Sequence, residues 1–188
     1  MQDGQEVLDN KFKIVKRLKE GNLSDIFLVE KKETGDQLIA KIQRANENSE
    51  HIMIFWEGKL VHKLKGKTAV ANLHGLGDHT TEDGKKHHII VMDQLGKSLQ
   101  DQFEACNQKF DLTTTLLIAS QMVKILEVVH QEGIIHRDLK PANFLVGAND
   151  ATKNTIHLID FDISKFYKAN EGAGEHIAFR EGIDLTIS

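Results

Sequence analysis

The chain has 188 residues, 40% hydrophobic and 28% charged, which describes an ordinary globular protein with room for one sizeable core or two small lobes. A formal net charge of −4 gives no basis for nucleic acid or an anionic membrane surface as a partner. The single cysteine, Cys106, excludes an internal disulfide, the opening MQDGQEVLDN lacks a secretory signal's apolar run, and no apolar run reads as long enough to span a bilayer, so a soluble intracellular protein of the cytoplasm or nucleus is expected.

Residues 1–10 read as an N-terminal extension. In KFKIVKRLKE, Phe12, Ile14 and Leu18 alternate with Lys11, Lys13 and Arg17, the pattern of a half-buried strand with a solvated basic face. IFLVE at 26–30 and QLIAKIQ at 37–43 are further strands, separated by the turn signal Thr34-Gly35-Asp36. AVANLHGLGDH and HHIIVMD flank Glu82-Asp83-Gly84-Lys85 and form a hairpin, with His87 and His88 expected to face solvent. Between these pairs, EHIMIFWEGKLVHKLK at 50–65 has a helical period that sets Met53, Leu60, Val61 and Leu64 on one face. Glu57 falls in the middle of that stripe, where a carboxylate is costly unless a cation or donor meets it.

After MDQLG at 92–96 the period turns helical. A short helix covers about 97–106. A long one follows Asp111, a good N-cap, and runs through LTTTLLIASQMVKILEVVH to the stop at Gly133. It is apolar almost all the way round, so burial on most sides is expected. The irregular IIHRDLKPANF comes next, then a short strand pair near 144–147 and 156–159. Five antiparallel strands with one helix over 11–93, then a helical region over 94–188, give an α+β fold with two lobes. Ten histidines show no ligand spacing beside a cysteine, and no structural metal site is expected.

The segment His136-Arg137-Asp138-Leu139-Lys140-Pro141-Ala142-Asn143 resembles the H-R-D-L-x-x-x-N catalytic loop of protein kinases. Phosphoryl transfer to a hydroxyl needs a carboxylate to orient and deprotonate the nucleophile, which Asp138 can supply, and a cation near the transferred group, which suits Lys140. Asn143 offers a neutral oxygen to Mg2+, a hard cation that prefers oxygen ligands. Asp160-Phe161-Asp162, after the apolar IHLI, is similar to the Asp-Phe-Gly element whose first aspartate holds Mg2+. Lys41 in IAKIQ stands where that family carries the lysine for the α/β-phosphates, and it is the partner that Glu57 lacks. Of the phosphate-loop glycines only Gly21 is kept, in Lys19-Glu20-Gly21-Asn22-Leu23-Ser24.

Over about 11–188 the chain is similar to the casein kinase I family, through WEGKLVHKLKG, VMDQLGKSLQDQFEAC, NQKFDLTTTLLIASQM, HRDLKPANFLVG, LIDFDISKFY and EHIAFREGIDLT. The resemblance implies a serine/threonine kinase, acting as a monomer on protein substrates that are acidic or already phosphorylated, with ATP and Mg2+ and without nucleic acid or membrane. It places Leu18 and Ile26 over the adenine, Leu145 beneath it, Met92 as gatekeeper, the backbone of Asp93 to Leu95 on the adenine edge, and Arg180 near an anion site. Asp162 replaces the family's glycine, Ile39 a small alanine, and Ala142 an acidic residue. The chain stops within the family's activation segment, so a truncated, poorly soluble or partly folded product is expected. A non-catalytic kinase-like module that binds a nucleotide or partner stands as the alternative, motivated by Lys19, Ser24 and Asp162.

Overall fold

The computed structural model describes residues 1–44, 53–67 and 69–178. An antiparallel sheet forms first, from β1 (Glu6–Val7), β2 (Phe12–Lys19), β3 (Ser24–Lys31), β4 (Gln37–Arg44), β5 (Leu73–Thr80) and β6 (Lys86–Asp93), in the order β1-β2-β3-β4-β6-β5. Alternation sets its sides: Phe12 and Ile14 are buried while Lys13, Lys16 and Arg17 stay exposed. With Val7, Phe27, Val29, Leu38, Ala40, Ile42, Ile89 and Val91 they close one core. The β5–β6 hairpin turns at Gly84, whose φ of 80° an L side chain rarely adopts.

The sheet has one strand more than expected. Glu6 and Val7 pair with Lys13 and Phe12, and Val7 and Leu8 are buried. The reversal runs through Leu8, Asp9 and Asn10 at φ 51°, 56° and 60°. Asp and Asn tolerate that region; Leu8 is held there by its buried side chain. The hairpin histidines also differ from expectation. Both are buried, with His88 Nδ1 2.6 Å from the Asp78 carboxylate and its ring edge-on to Phe55.

Helix α1 (Met53–Leu64) lies against β5 and β6 and also supplies Leu60, Val61 and Leu64 to a second core with Leu99, Ile125, Val129, Ile134, Phe144, Leu158 and Phe161. One helix therefore belongs to both lobes. Helix α2 (Leu99–Ala105) starts with a capping box: Ser98 accepts from the Asp101 N–H, and Asp101 accepts from the Ser98 N–H. Asp111 caps α3 (Leu112–Gln131) by accepting from the Thr114 N–H at 2.7 Å. Then β7 (Ile134–Ile135) pairs with β10 (Lys165–Phe166), and β8 (Phe144–Val146) with β9 (Ile156–Leu158).

The all-round burial expected of α3 is not what the structure shows. Only Ile125 and Val129 are buried, and Leu112, Leu116, Leu117 and Val123 are 74%, 60%, 61% and 65% exposed. Composition counts how much of a helix is apolar; packing is decided by what lies within reach. By length and composition alone, α3 is also the one helix among the described residues that could cross a membrane, although no run read as long enough. Its threonines, serine and glutamine interrupt an apolar run without adding charge, and Lys124 and Glu127 are its only charged residues.

Candidate active site

Lys41 lies in the middle of β4, paired with Ile26 on β3 and Ile90 on β6. Its Nζ donates to Glu57 at 2.9 Å, to Asp160 at 2.7 Å and to Asp162 at 3.4 Å. Glu57, 1% exposed on α1, thus has the cation its place on an apolar face requires. It also accepts the Phe161 N–H at 3.2 Å, joining α1 to the segment after β9. Burial alone would lower the Lys41 pKa, but Glu57, Asp160 and Asp162 outweigh it and hold the ammonium protonated. Burial pushes the Glu57 carboxyl up, and Lys41 pulls it back. Two donors on that carboxylate favour the ionised pair.

The catalytic-loop candidate hangs on His136. Its buried ring donates through Nε2 to the Ile159 carbonyl at 2.9 Å and accepts the Asp138 N–H at Nδ1, 3.3 Å away, which assigns the neutral tautomer. Burial depresses its pKa in agreement. Arg137 has φ 71°, and its Nε donates to the Ile163 carbonyl, so two successive residues tie the start of the loop to the segment 159–163. Lys140 Nζ then reaches Asp138 at 2.6 Å. That hydrogen bond, with a second from Asn143, holds the Asp138 carboxyl below its ordinary value. The turn at Pro141–Asn143 buries Asn143, whose Nδ2 donates to the Asp138 carbonyl at 2.9 Å and carboxylate at 3.0 Å. Both bonds use Nδ2, so Oδ1 is the atom of that amide left for a cation.

These two constellations face one cleft of about 620 Å³ between the sheet and the helical region. From the sheet side it is lined by Leu18, Gly21, Ile26, Lys41, Glu57, Met92, Asp93 and Leu95, and from below by Lys140, Asn143, Leu145 and Asp160. Asp138 is joined to it through Lys140 and Asn143. Arg180 lies outside the described residues. The Asp93 N–H is taken by the Asn72 carbonyl at 3.1 Å, and its carboxylate accepts from Asn72 and contacts His74 Nε2. At Gly21 a Cβ would lie 2.3 Å from the Ser24 carbonyl oxygen, so the loop over the cleft closes only with glycine there.

Asp162 and Ile39, both departures from the family pattern, line the cleft; Leu23, Ala71 and Ile159 line it too, and motif matching assigns those three no site role. For Asp162 the signal is present: a second carboxylate two residues after Asp160. It carries no strain of its own, since Asp160 is the residue in the left-handed region, at φ 70°. For Ala71 there is no signal.

The donor set suits a hard divalent cation, with Asn143 and Asp160 presenting oxygens to a cleft in which Lys41 is outnumbered by carboxylates. Among the described residues no three His, Cys, Asp or Glu side chains form a complete cage. Two oxygen donors suit a cation that brings phosphate oxygens and water as its other ligands. In comparison with known families, the model described as the protein kinase domain matches residues 12–179.

Proposed function

The chain belongs to the protein kinase domain family, and we propose that it is a casein kinase I-like serine/threonine kinase, transferring the γ-phosphoryl group of ATP to protein hydroxyls. The observation that carries this is the meeting of Lys41, Glu57 and Asp160 with Lys140 and Asn143 on one cleft, with Asp138 hydrogen-bonded to the last two. The residues take the following roles. Leu18, Ile26 and Leu145 enclose the adenine, Met92 lies behind it, and the backbone of Asp93 to Leu95 meets its edge. Glu57 aims Lys41 at the α/β-phosphates, and Gly21 lets the loop close over them. Asn143 and Asp160 hold Mg2+, which when bound neutralises charge on the phosphate oxygens. Asp138, kept ionised by Lys140, accepts the substrate hydroxyl's proton, and Lys140 steadies the phosphoryl group. Arg180 belongs to a site for acidic or phosphorylated substrate residues. The exposed, unpaired Cys106 supports a reducing, intracellular setting.

The test is transfer from γ-labelled ATP to dephosphorylated casein, followed by phosphoamino-acid analysis. Label on serine or threonine, lost in Asp138→Ala, is expected. Saturable nucleotide binding without any transfer would favour instead a non-catalytic nucleotide-binding module, a reading that the crowding of Lys41 by acids motivates.

A further inference from the structure

Asp162 has no structural task that its neighbours leave undone. Lys41 is already held at 2.9 Å by Glu57 and 2.7 Å by Asp160; Asp162 adds a contact at 3.4 Å. Among the described residues Lys41 is the one donor its carboxylate reaches, and Asp162 lines the cleft beside Asn143 and Asp160. Its side chain is 23% exposed, so it is neither fully hydrated nor fully satisfied. With Lys41 paired to Glu57, the charges of Asp160 and Asp162 both face the space between the sheet and the catalytic loop.

We propose that Asp162 makes nucleotide binding in this cleft depend on the divalent cation, acting as an electrostatic filter against metal-free polyphosphate. The inference rests on the nucleotide reading of the cleft. A bare triphosphate entering there competes with Asp162 for Lys41 and is repelled by its charge. Screening is weak because the group is three-quarters enclosed. A cation held near Asn143 and Asp160 inverts the sign of that interaction. The same carboxylate then attracts the metal–nucleotide complex, directly or through a metal-bound water. The effect therefore grows with the number of phosphates and vanishes for a neutral ligand.

Calorimetric titration of wild type, Asp162→Asn and Asp162→Ser with adenosine, ADP and ATP, each in EDTA and in Mg2+, separates the contributions. Both charge-free variants are expected to bind metal-free ATP on the order of tenfold more tightly than wild type, ADP less so, and adenosine equally. In Mg2+ the advantage should disappear or reverse. The same gain for adenosine as for ATP, or a gain indifferent to Mg2+, would assign Asp162 a merely structural role and overturn the proposal. If wild type and both variants fail to bind all three ligands in either condition, the nucleotide reading falls and the inference falls with it.

Discussion

At the scale of single residues, Lys41 is where the fold and the proposed chemistry meet, because one ammonium serves three acids. Lys41→Met would leave Glu57 buried without its cation. We expect a loss of about 3–5 kcal/mol of stability in urea titrations, together with loss of nucleotide binding. Asp138→Asn keeps the shape and removes the base; kcat for phosphoryl transfer is expected to fall by about 10²–10⁴-fold with nucleotide affinity unchanged. His136 sets a pH dependence. Burial holds it below its ordinary 6.5, so the unfolded chain binds a proton that the folded one refuses. The stability that this neutral ring supports is intact above pH 6.5 and is lost as pH falls toward the folded value. The thermal midpoint should therefore drop between about pH 7 and about pH 5.5, and less steeply in His136→Gln. The Lys41–Glu57 pair was legible because a carboxylate on an apolar stripe is anomalous by itself. The part Asp162 plays was not, since what matters there is its distance to Lys41, and no spacing rule encodes a distance across the cleft.

At the scale of elements, legibility followed period and turn chemistry. The strands of the sheet from β2 to β6, the helix with Glu57 and the capped helix at Asp111 all carry repeats long enough to read. Strand β1 has two residues and no period, and it pairs because the turn through Leu8, Asp9 and Asn10 folds it back onto β2. The exposure of α3 was hidden for another reason: an apolar helix announces a need for cover, not the presence of it. Its bare Leu112, Leu116, Leu117 and Val123 should bind a hydrophobic dye. Leu116→Gln with Val123→Lys should reduce that fluorescence while changing stability by no more than about 0.5 kcal/mol. At the other helix start, Ser98→Ala removes half of the capping box, and a cost of about 1 kcal/mol is expected in thermal or urea unfolding.

At the scale of the whole molecule, the decisive feature is that α1 joins the sheet to the helical region. Through Leu60, Val61 and Leu64 it is packed with residues of the helical region, and through Glu57 it grips Lys41 of the sheet and the Phe161 backbone. The cleft is therefore assembled by long-range contacts between segments more than 100 residues apart in sequence. The catalytic-loop and Asp-Phe-Asp motifs are local in sequence; their meeting with Lys41 on one cleft is set by packing. The most direct measurement is a crystal structure of the protein with Mg2+ and a non-hydrolysable ATP analogue. Adenine against the backbone of Asp93 to Leu95, Lys41 Nζ on the α/β-phosphates and the metal between Asn143 and Asp160 is the predicted result. A nucleotide bound outside this cleft, or a metal held by neither Asn143 nor Asp160, would contradict it.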